Sequence, residues 1–197
     1  MSKKIDVSLI KKLREKTDAP VMDCKNAVEE AGGDVEQALE ILKRKGLAKA
    51  KEKQERITSE GLIASYIHFG GKIGVLVEIN CETDFVARTE EFKSLVKDVT
   101  MHIAASNPKY ISQDDVPEEV LAKEKDFYSS QSKGKPEAVI EKITKGKLNK
   151  FFSEMCLLNQ PFVKDPNITV GEHINTFIGK LKENLRVKRF TRYQLGG

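Results

Sequence analysis

The chain contains no tryptophan, only three cysteines and only three histidines among its 197 residues. Cys24, Cys81 and Cys156 are odd in number and far apart, and no C-x-x-C pair occurs. That argues against a zinc knuckle and a disulfide framework and leaves three reduced, partly buried thiols. His68, His102 and His173 show neither H-x-x-x-H nor H-E-x-x-H spacing, so a zinc hydrolase is not expected. His102 falls beside the apolar stripe of a helix and reads as packing; His173 falls in the first turn of another and reads as solvent-facing. No run approaches the roughly 18 apolar residues of a membrane span. The start, Met1-Ser-Lys-Lys-Ile-Asp, lacks the apolar stretch of a secretory signal, so a cytoplasmic place and no membrane partner are expected.

Phosphate-binding chemistry is missing as well. Gly71-Lys72, Gly134-Lys135, Gly146-Lys147 and Gly179-Lys180 each lack the upstream glycine and the following Ser or Thr of a phosphate cradle. No G-x-G-x-x-G occurs. Cys81 sits beside Glu82, a poor neighbour for a thiolate. Glu82 and Asp84 share one turn, but two carboxylates in a loop do not make an acid–base pair. The sequence therefore implies no enzyme, no cofactor and no metal.

What the chain does contain is charge and helix-forming pattern. Hydrophobic residues make up 39% and charged residues 32%, and the formal net charge is +4. Such a balance permits nucleic-acid contact without arguing for it. The length allows one large domain or a small one plus a medium one.

Residues 8 to 45 read as three short helices. Leu9, Ile10 and Leu13 form the first stripe, and Thr17-Asp-Ala-Pro20 breaks it. Val21 to Ala31 forms the second helix, ended by Gly32-Gly33. Asp34 caps the third, with Gln37 at capping-box spacing, and Val35, Ala38, Leu39 and Leu42 recur at helical period. Gly46 closes the unit. The expected layout is a three-helix domain over 1–46, a solvated helical linker over 47–60, and an α+β core over 61–197. The basic run across 43–56 has no interleaved aromatics for base stacking. With the basic C-terminal strand it leaves an RNA-binding module as the alternative function.

The core opens with two strand-like runs, Gly61 to Phe69 and Lys72 to Cys81, joined by Gly70-Gly71. In the second, Ile73, Val75, Val77, Ile79 and Cys81 share one face. Thr89 caps a helix with stripe Phe92, Leu95, Val96, Val99 and Ile103, ended by Asn107-Pro108. Pro117 and Pro136 start two more, and Pro161 and Pro166 bracket a loop. Val170 to Leu185 marks a last helix, and Arg186 to Leu195 a third strand. The fold class is α+β: a small three-stranded antiparallel sheet covered by helices. Its thin outer face, with residues such as Tyr66 or Phe190, suggests a homodimer.

One segment stands apart: Glu78-Ile-Asn-Cys-Glu-Thr-Asp-Phe-Val-Ala-Arg88. It begins as a strand, ends by opening a helix, and places Phe85 directly after Asp84 at the junction. Turns are usually solvated and polar. Phe85 therefore either fills the core or is held out for a partner, and the residues alone leave both open.

That segment resembles the signature of the bacterial elongation factor Ts family. Leu13-Arg-Glu-Lys-Thr17 with Met22-Asp-Cys-Lys25 resembles the family's ubiquitin-associated-like three-helix module. Similarity continues through Met101-His-Ile-Ala-Ala-Ser-Asn-Pro108, Gly134-Lys-Pro-Glu137, Asn159-Gln-Pro-Phe-Val163 and Glu183-Asn-Leu-Arg186, and so spans essentially the whole chain. One departure is Thr17-Asp-Ala-Pro20-Val21, where the family commonly has Gly after the threonine; proline stiffens this loop. The length resembles the family's short form, which pairs into dimers. The resemblance implies nucleotide exchange on elongation factor Tu, GDP-bound or nucleotide-free, with no direct nucleic acid required. It implies that Thr83, Asp84, Phe85 and Val86 enter the GTPase domain, Phe85 as a wedge and Asp84 through polar contacts. The partner's magnesium and phosphate sites are disturbed, GDP leaves and GTP can rebind. It further implies contacts from Met22, Asp23 and Lys25 to that domain and from His68 to another domain of the same partner.

Overall fold

The computed structural model describes residues 6–17, 19–53, 55–131 and 136–196. Asp18, Gln54 and the Gly134-Lys135 pair lie outside the described residues, as do the side chains of Leu47, Lys49, Ala50 and Lys51 in the basic run. The chain is α+β, and its main sheet is antiparallel with three strands. Strand β1 (Glu60–Ile67) pairs with β2 (Ile73–Cys81), and β2 pairs in turn with β5 (Arg186–Gln194). In β2 the expected alternation holds: Val75, Val77, Ile79 and Cys81 are buried, while Leu76 between them is exposed. Residues of the sequence separate into two compact units, one of Met1–Leu62, Ile79–Leu95 and Ile174–Arg186, the other of Ile63–Glu78, Val96–His173 and Val187–Gly197.

The first unit begins with α1 (Val7–Thr17), α2 (Val21–Glu30) and α3 (Val35–Lys53). Their core is Leu13, Cys24, Ala27, Val28 and Ala38, edged by Leu9, Ile10, Leu39 and Leu42. The Thr17 hydroxyl donates to the Leu13 carbonyl (2.7 Å) and accepts from the Ala19 N–H (3.3 Å), ending α1 in a side-chain turn. Asp34 caps α3 by accepting from the Glu36 and Gln37 N–H groups at 2.9 and 3.0 Å. Gly46 does not close this helix, which continues to Lys53. A glycine costs a helix only about 1 kcal/mol relative to alanine, and the Ala, Lys and Glu residues after it are good helix formers.

Where β1 meets β2 in this unit, glycine is required at position 61. Its φ is +146°, and a Cβ there would lie 2.2 Å from the Ile79 carbonyl oxygen. After β2 come α4 (Asp84–Ala87) and the start of α5 (Glu90–Ser106). Thr89 links the two helices: its hydroxyl donates to the Val86 carbonyl (2.8 Å) and accepts from the Phe92 N–H (3.2 Å). Phe92, Leu95, Val96, Val99 and Ile103 are all buried, as their spacing implied.

The second unit holds α6 (Glu118–Ser130) and α7 (Glu137–Met155), each preceded by a proline at its N-cap and packed against the other. The expected loop between Pro161 and Pro166 is instead a short hairpin of β3 (Pro161–Phe162) and β4 (Asp165–Thr169). Two-residue strands carry too little alternation to be read from sequence. Helix α8 (Val170–Leu181) follows, so Leu185 falls beyond its end.

Two histidines of this unit, His102 and His173, are built in. His102 is fully buried. Its Nδ1 accepts the Val163 N–H (3.2 Å), which leaves Nε2 to donate to Gln160 Oε1 (2.9 Å). The Gln160 amide then donates to the Ser106 and Glu154 carbonyls. His173 is not solvent-facing as its helix position suggested. It stacks on Phe162 at 4.2 Å and stands 3.3 Å from Asp98, a carboxylate also held by Lys164. Burial lowers the pKa of both imidazoles below the usual 6.5.

The β1–β2 connection is longer than two residues. His68 N–H donates to the Ile73 carbonyl and Gly71 N–H to the His68 carbonyl, with Gly70 and Gly71 at φ +88° and +69°. The outer apolar residues also differ from expectation. Tyr66 and Phe190 are half-buried, whereas Ile63, Ile67, Leu76 and Tyr193 are exposed. For Tyr66 the reason is parity: along β1 positions 62, 64 and 66 turn inward and positions 63, 65 and 67 face out. No described helix is long and apolar enough to cross a membrane.

Candidate partner-binding site

The short helix α4 sits on a turn that is locked from below. Thr83 is its N-cap, with extended backbone, and its hydroxyl oxygen accepts the Val86 N–H at 3.3 Å. The same hydroxyl donates to Glu183 Oε1 at 2.6 Å. Glu183 Oε2 accepts the backbone N–H groups of Glu82 (3.0 Å) and Thr83 (3.1 Å). The exchange is mutual, because the Glu82 carboxylate accepts the Asn184 N–H at 2.6 Å. Asn184 in turn donates from its side chain to the Arg56 carbonyl.

On this mount the four turn residues divide by direction. Phe85 is 78% exposed. The open choice left by the sequence is thereby decided: Phe85 does not fill the core. Asp84 is exposed and pairs with Arg88 at 2.8 Å. Val86 is only 6% exposed and turns inward, so it anchors the turn instead of being presented.

Cys81, just before the turn, donates to the Thr83 carbonyl, and its thiol pKa is pushed up to about 11 by burial and then by the charge of Glu183. A thiol so raised is no nucleophile.

Of the residues expected on the helical module, Met22 and Lys25 are exposed, and Lys25 faces Glu29 at 3.9 Å. Asp23 pairs with Lys182 at 3.4 Å. Residues 182–184 therefore touch the module through Asp23 and the turn through Glu82 and Thr83, all within the first unit. His68 belongs to the second unit, where its Nδ1 lies 3.0 Å from the Tyr66 hydroxyl. Beside it Phe69 is 97% exposed.

Sequence reasoning missed the part played by Glu183. It lies 100 residues from Thr83, and a lone acid after a helix gives no local sign of such a contact. In the sequence Phe69 is no more than the end of a strand-like run. The basic residues of the RNA-binding alternative are in several cases occupied: Arg44 and Lys45 by Glu30, Arg56 by Glu82, and Arg189 by Glu78.

The fold and the site together define an α+β protein that holds an aromatic outward on a short, clamped helix. Residues 11–197 match the family model described as Elongation factor TS. The chain is 58% identical over 194 residues to an elongation factor Ts of Koribacter versatilis, covering 98% of this chain and 89% of that one. It is 55% identical over 192 residues to an elongation factor Ts of Thermotoga neapolitana, covering 98% of each. The chain belongs to the elongation factor Ts family, and so to the elongation factors of protein biosynthesis.

Proposed function

We propose that this chain is a guanine-nucleotide exchange factor for elongation factor Tu, acting in the cytoplasm and not as an enzyme. It binds the GDP-bound GTPase and inserts the 83–86 turn into the GTPase domain. Phe85 separates packed elements there while Asp84 supports the insertion with polar contacts. The partner's magnesium and phosphate sites are disturbed, GDP leaves, and GTP rebinds to the nucleotide-free complex. The observation that carries this reading is Phe85, exposed on a turn fixed by four hydrogen bonds among side chains and backbone.

The thermodynamics favour such a tool. A factor that weakens nucleotide binding by a given ratio must itself be weakened by nucleotide in the same ratio. The interaction energy has to be spent on an arrangement of the partner that nucleotide does not allow. A rigid aromatic suits this, since packed cores rearrange between discrete states rather than deforming smoothly. A phenylalanine also has only two side-chain torsions to lose on binding.

Further contacts are assigned to Met22, Asp23 and Lys25 of a helical domain spanning 1–46, which a linker over 47–60 joins to the core over 61–197. His68 is assigned to another domain of the same partner. A second copy of the chain covers the sheet's outer residues, Ile63, Ile67, Leu76 and Tyr193, whose exposure supports a homodimer. The test is release of labelled GDP from elongation factor Tu with and without the full chain. At saturation the release rate is expected to rise by at least about 100-fold, roughly 2.7 kcal/mol of barrier. An unchanged rate overturns the reading.

A further inference from the structure

We infer that Glu183 is a positioning residue for nucleotide exchange, holding the 82–83 backbone and the Thr83 hydroxyl so that Phe85 is presented in one fixed orientation. This rests on the proposal that the turn enters the GTPase.

Three donors converge on one carboxylate. The Glu82 and Thr83 N–H groups reach Oε2, and the Thr83 hydroxyl reaches Oε1 at 2.6 Å. Hydrogen bonds to an ionised acceptor are about twice as strong as neutral ones. The hydroxyl bond does more than add strength. A threonine hydroxyl can rotate, but donating to Glu183 fixes its hydrogen and leaves a lone pair for the Val86 N–H. The cap of α4 is thus set from the far side by Glu183. A four-residue helix cannot hold its own geometry, because nucleation costs more than its few bonds return. Phe85 inherits its direction from this cap and from buried Val86 next to it.

The carboxylate is delivered by a special backbone. Lys182, just before it, has φ +63°, a left-handed conformation unusual for a residue other than glycine or asparagine. It turns the chain after α8, so that Glu183 and Asn184 face residues 82 and 83 while Lys182 pairs with Asp23. The Glu82–Asn184 bond supports the same junction from the other strand end. Without Glu183 two backbone N–H groups lose their partner and the Thr83 rotor is released. Misplacing a working group by about 1 Å can cost on the order of 100-fold in rate.

The experiment is a double-mutant cycle with full-length protein and elongation factor Tu loaded with labelled GDP. Wild type, Glu183→Ala, Phe85→Ala and the double variant are compared at saturation and at half-saturation. Glu183→Ala is expected to slow saturated release by on the order of 10-fold, with the half-saturating concentration shifted less than about 3-fold. In the Phe85→Ala background the same change is expected to cost no more than about 2-fold, because Glu183 acts through Phe85. Glu183→Gln keeps one carbonyl oxygen and is expected to fall between, and it replaces alanine in the cycle if that variant melts early. Amide hydrogen exchange at Glu82 and Thr83 should quicken in both variants. Phe85→Ala slow with Glu183→Ala at the wild-type rate overturns the positioning role alone. Phe85→Ala at the wild-type rate overturns the exchange turn and the positioning role together. Equal losses from Glu183→Ala with and without Phe85 also overturn it.

Discussion

Two turns of this protein expose a phenylalanine, and they are built differently. Phe69 stands almost fully exposed on the β1–β2 hairpin, where the chain is held backbone to backbone, across His68–Ile73, His68–Gly71 and Lys72–Leu195. Among the described residues no side chain grips this turn's own N–H groups as Glu183 does at residues 82 and 83. Phe85 is somewhat less exposed, but the backbone beneath it is gripped by the Glu183 carboxylate and capped by Thr83. Exposure alone would rank Phe69 first. Mounting ranks Phe85 first, and mounting is what an element that must displace packed structure requires. A loosely held aromatic can follow its partner's surface; a clamped one can impose its own position.

The largest expected effect lies a few residues after the clamped turn. Phe92 is completely buried in α5, seven residues after Phe85. Phe92→Ala is expected to destabilise the fold by about 3–5 kcal/mol in denaturant titration. A loss under about 1 kcal/mol would mean that the buried stripe of α5 does not carry the fold. On the hairpin side Tyr66→Phe removes only the hydroxyl near His68, and a loss of about 1 kcal/mol or less is expected.

Acid separates the two units next. Both His102 and His173 lie in the second unit with pKa values lowered below 6.5, first by burial. A histidine depressed on folding contributes stability that is fully present above its unfolded pKa. That contribution is lost as pH falls from about 6.5 through the lower folded value. The Val163 N–H loses its acceptor when His102 is protonated, while Asp98 tempers the effect at His173. Relative to the intrinsic exchange rate at each pH, protection around Val163 is expected to fall on going to about pH 5, while protection of the Thr83 and Val86 amides holds. A uniform fall in protection would break the distinction.

Smaller still is Gly71→Ala. Its Cβ would meet nothing, so only the positive φ is penalised, by about 1 kcal/mol in melting experiments. Smallest of all are Phe85→Ala and Phe69→Ala measured for stability. Each is expected to stay within about 0.5 kcal/mol of wild type, since neither ring is buried. A large loss at Phe85 would show that its ring holds the fold.

Much of this architecture could be read from the chain. Period-two alternation located β2, and the Phe92 stripe located α5, because each buries one continuous face. Prolines 117 and 136 marked helix starts for a local steric reason. What escaped was set by distant contacts. The end of α3 passed through Gly46 because one glycine among helix formers is tolerated. The inward turn of His173 depends on Phe162 and Asp98. At the site itself, the motif around Phe85 was legible, yet its direction was not, since Glu183 lies 100 residues away. The burial of Val86 is equally invisible in the sequence, since it follows from a one-turn helix having to turn one residue inward to hold at all.

The most direct measurement compares release of labelled GDP from elongation factor Tu by wild type, Phe85→Ala and Phe69→Ala, each at saturating concentration. The expected result is a loss of about 100-fold for Phe85→Ala and less than about 2-fold for Phe69→Ala, with both proteins folded as wild type. Wild-type release by Phe85→Ala would contradict the central claim, that the clamped aromatic is the working part.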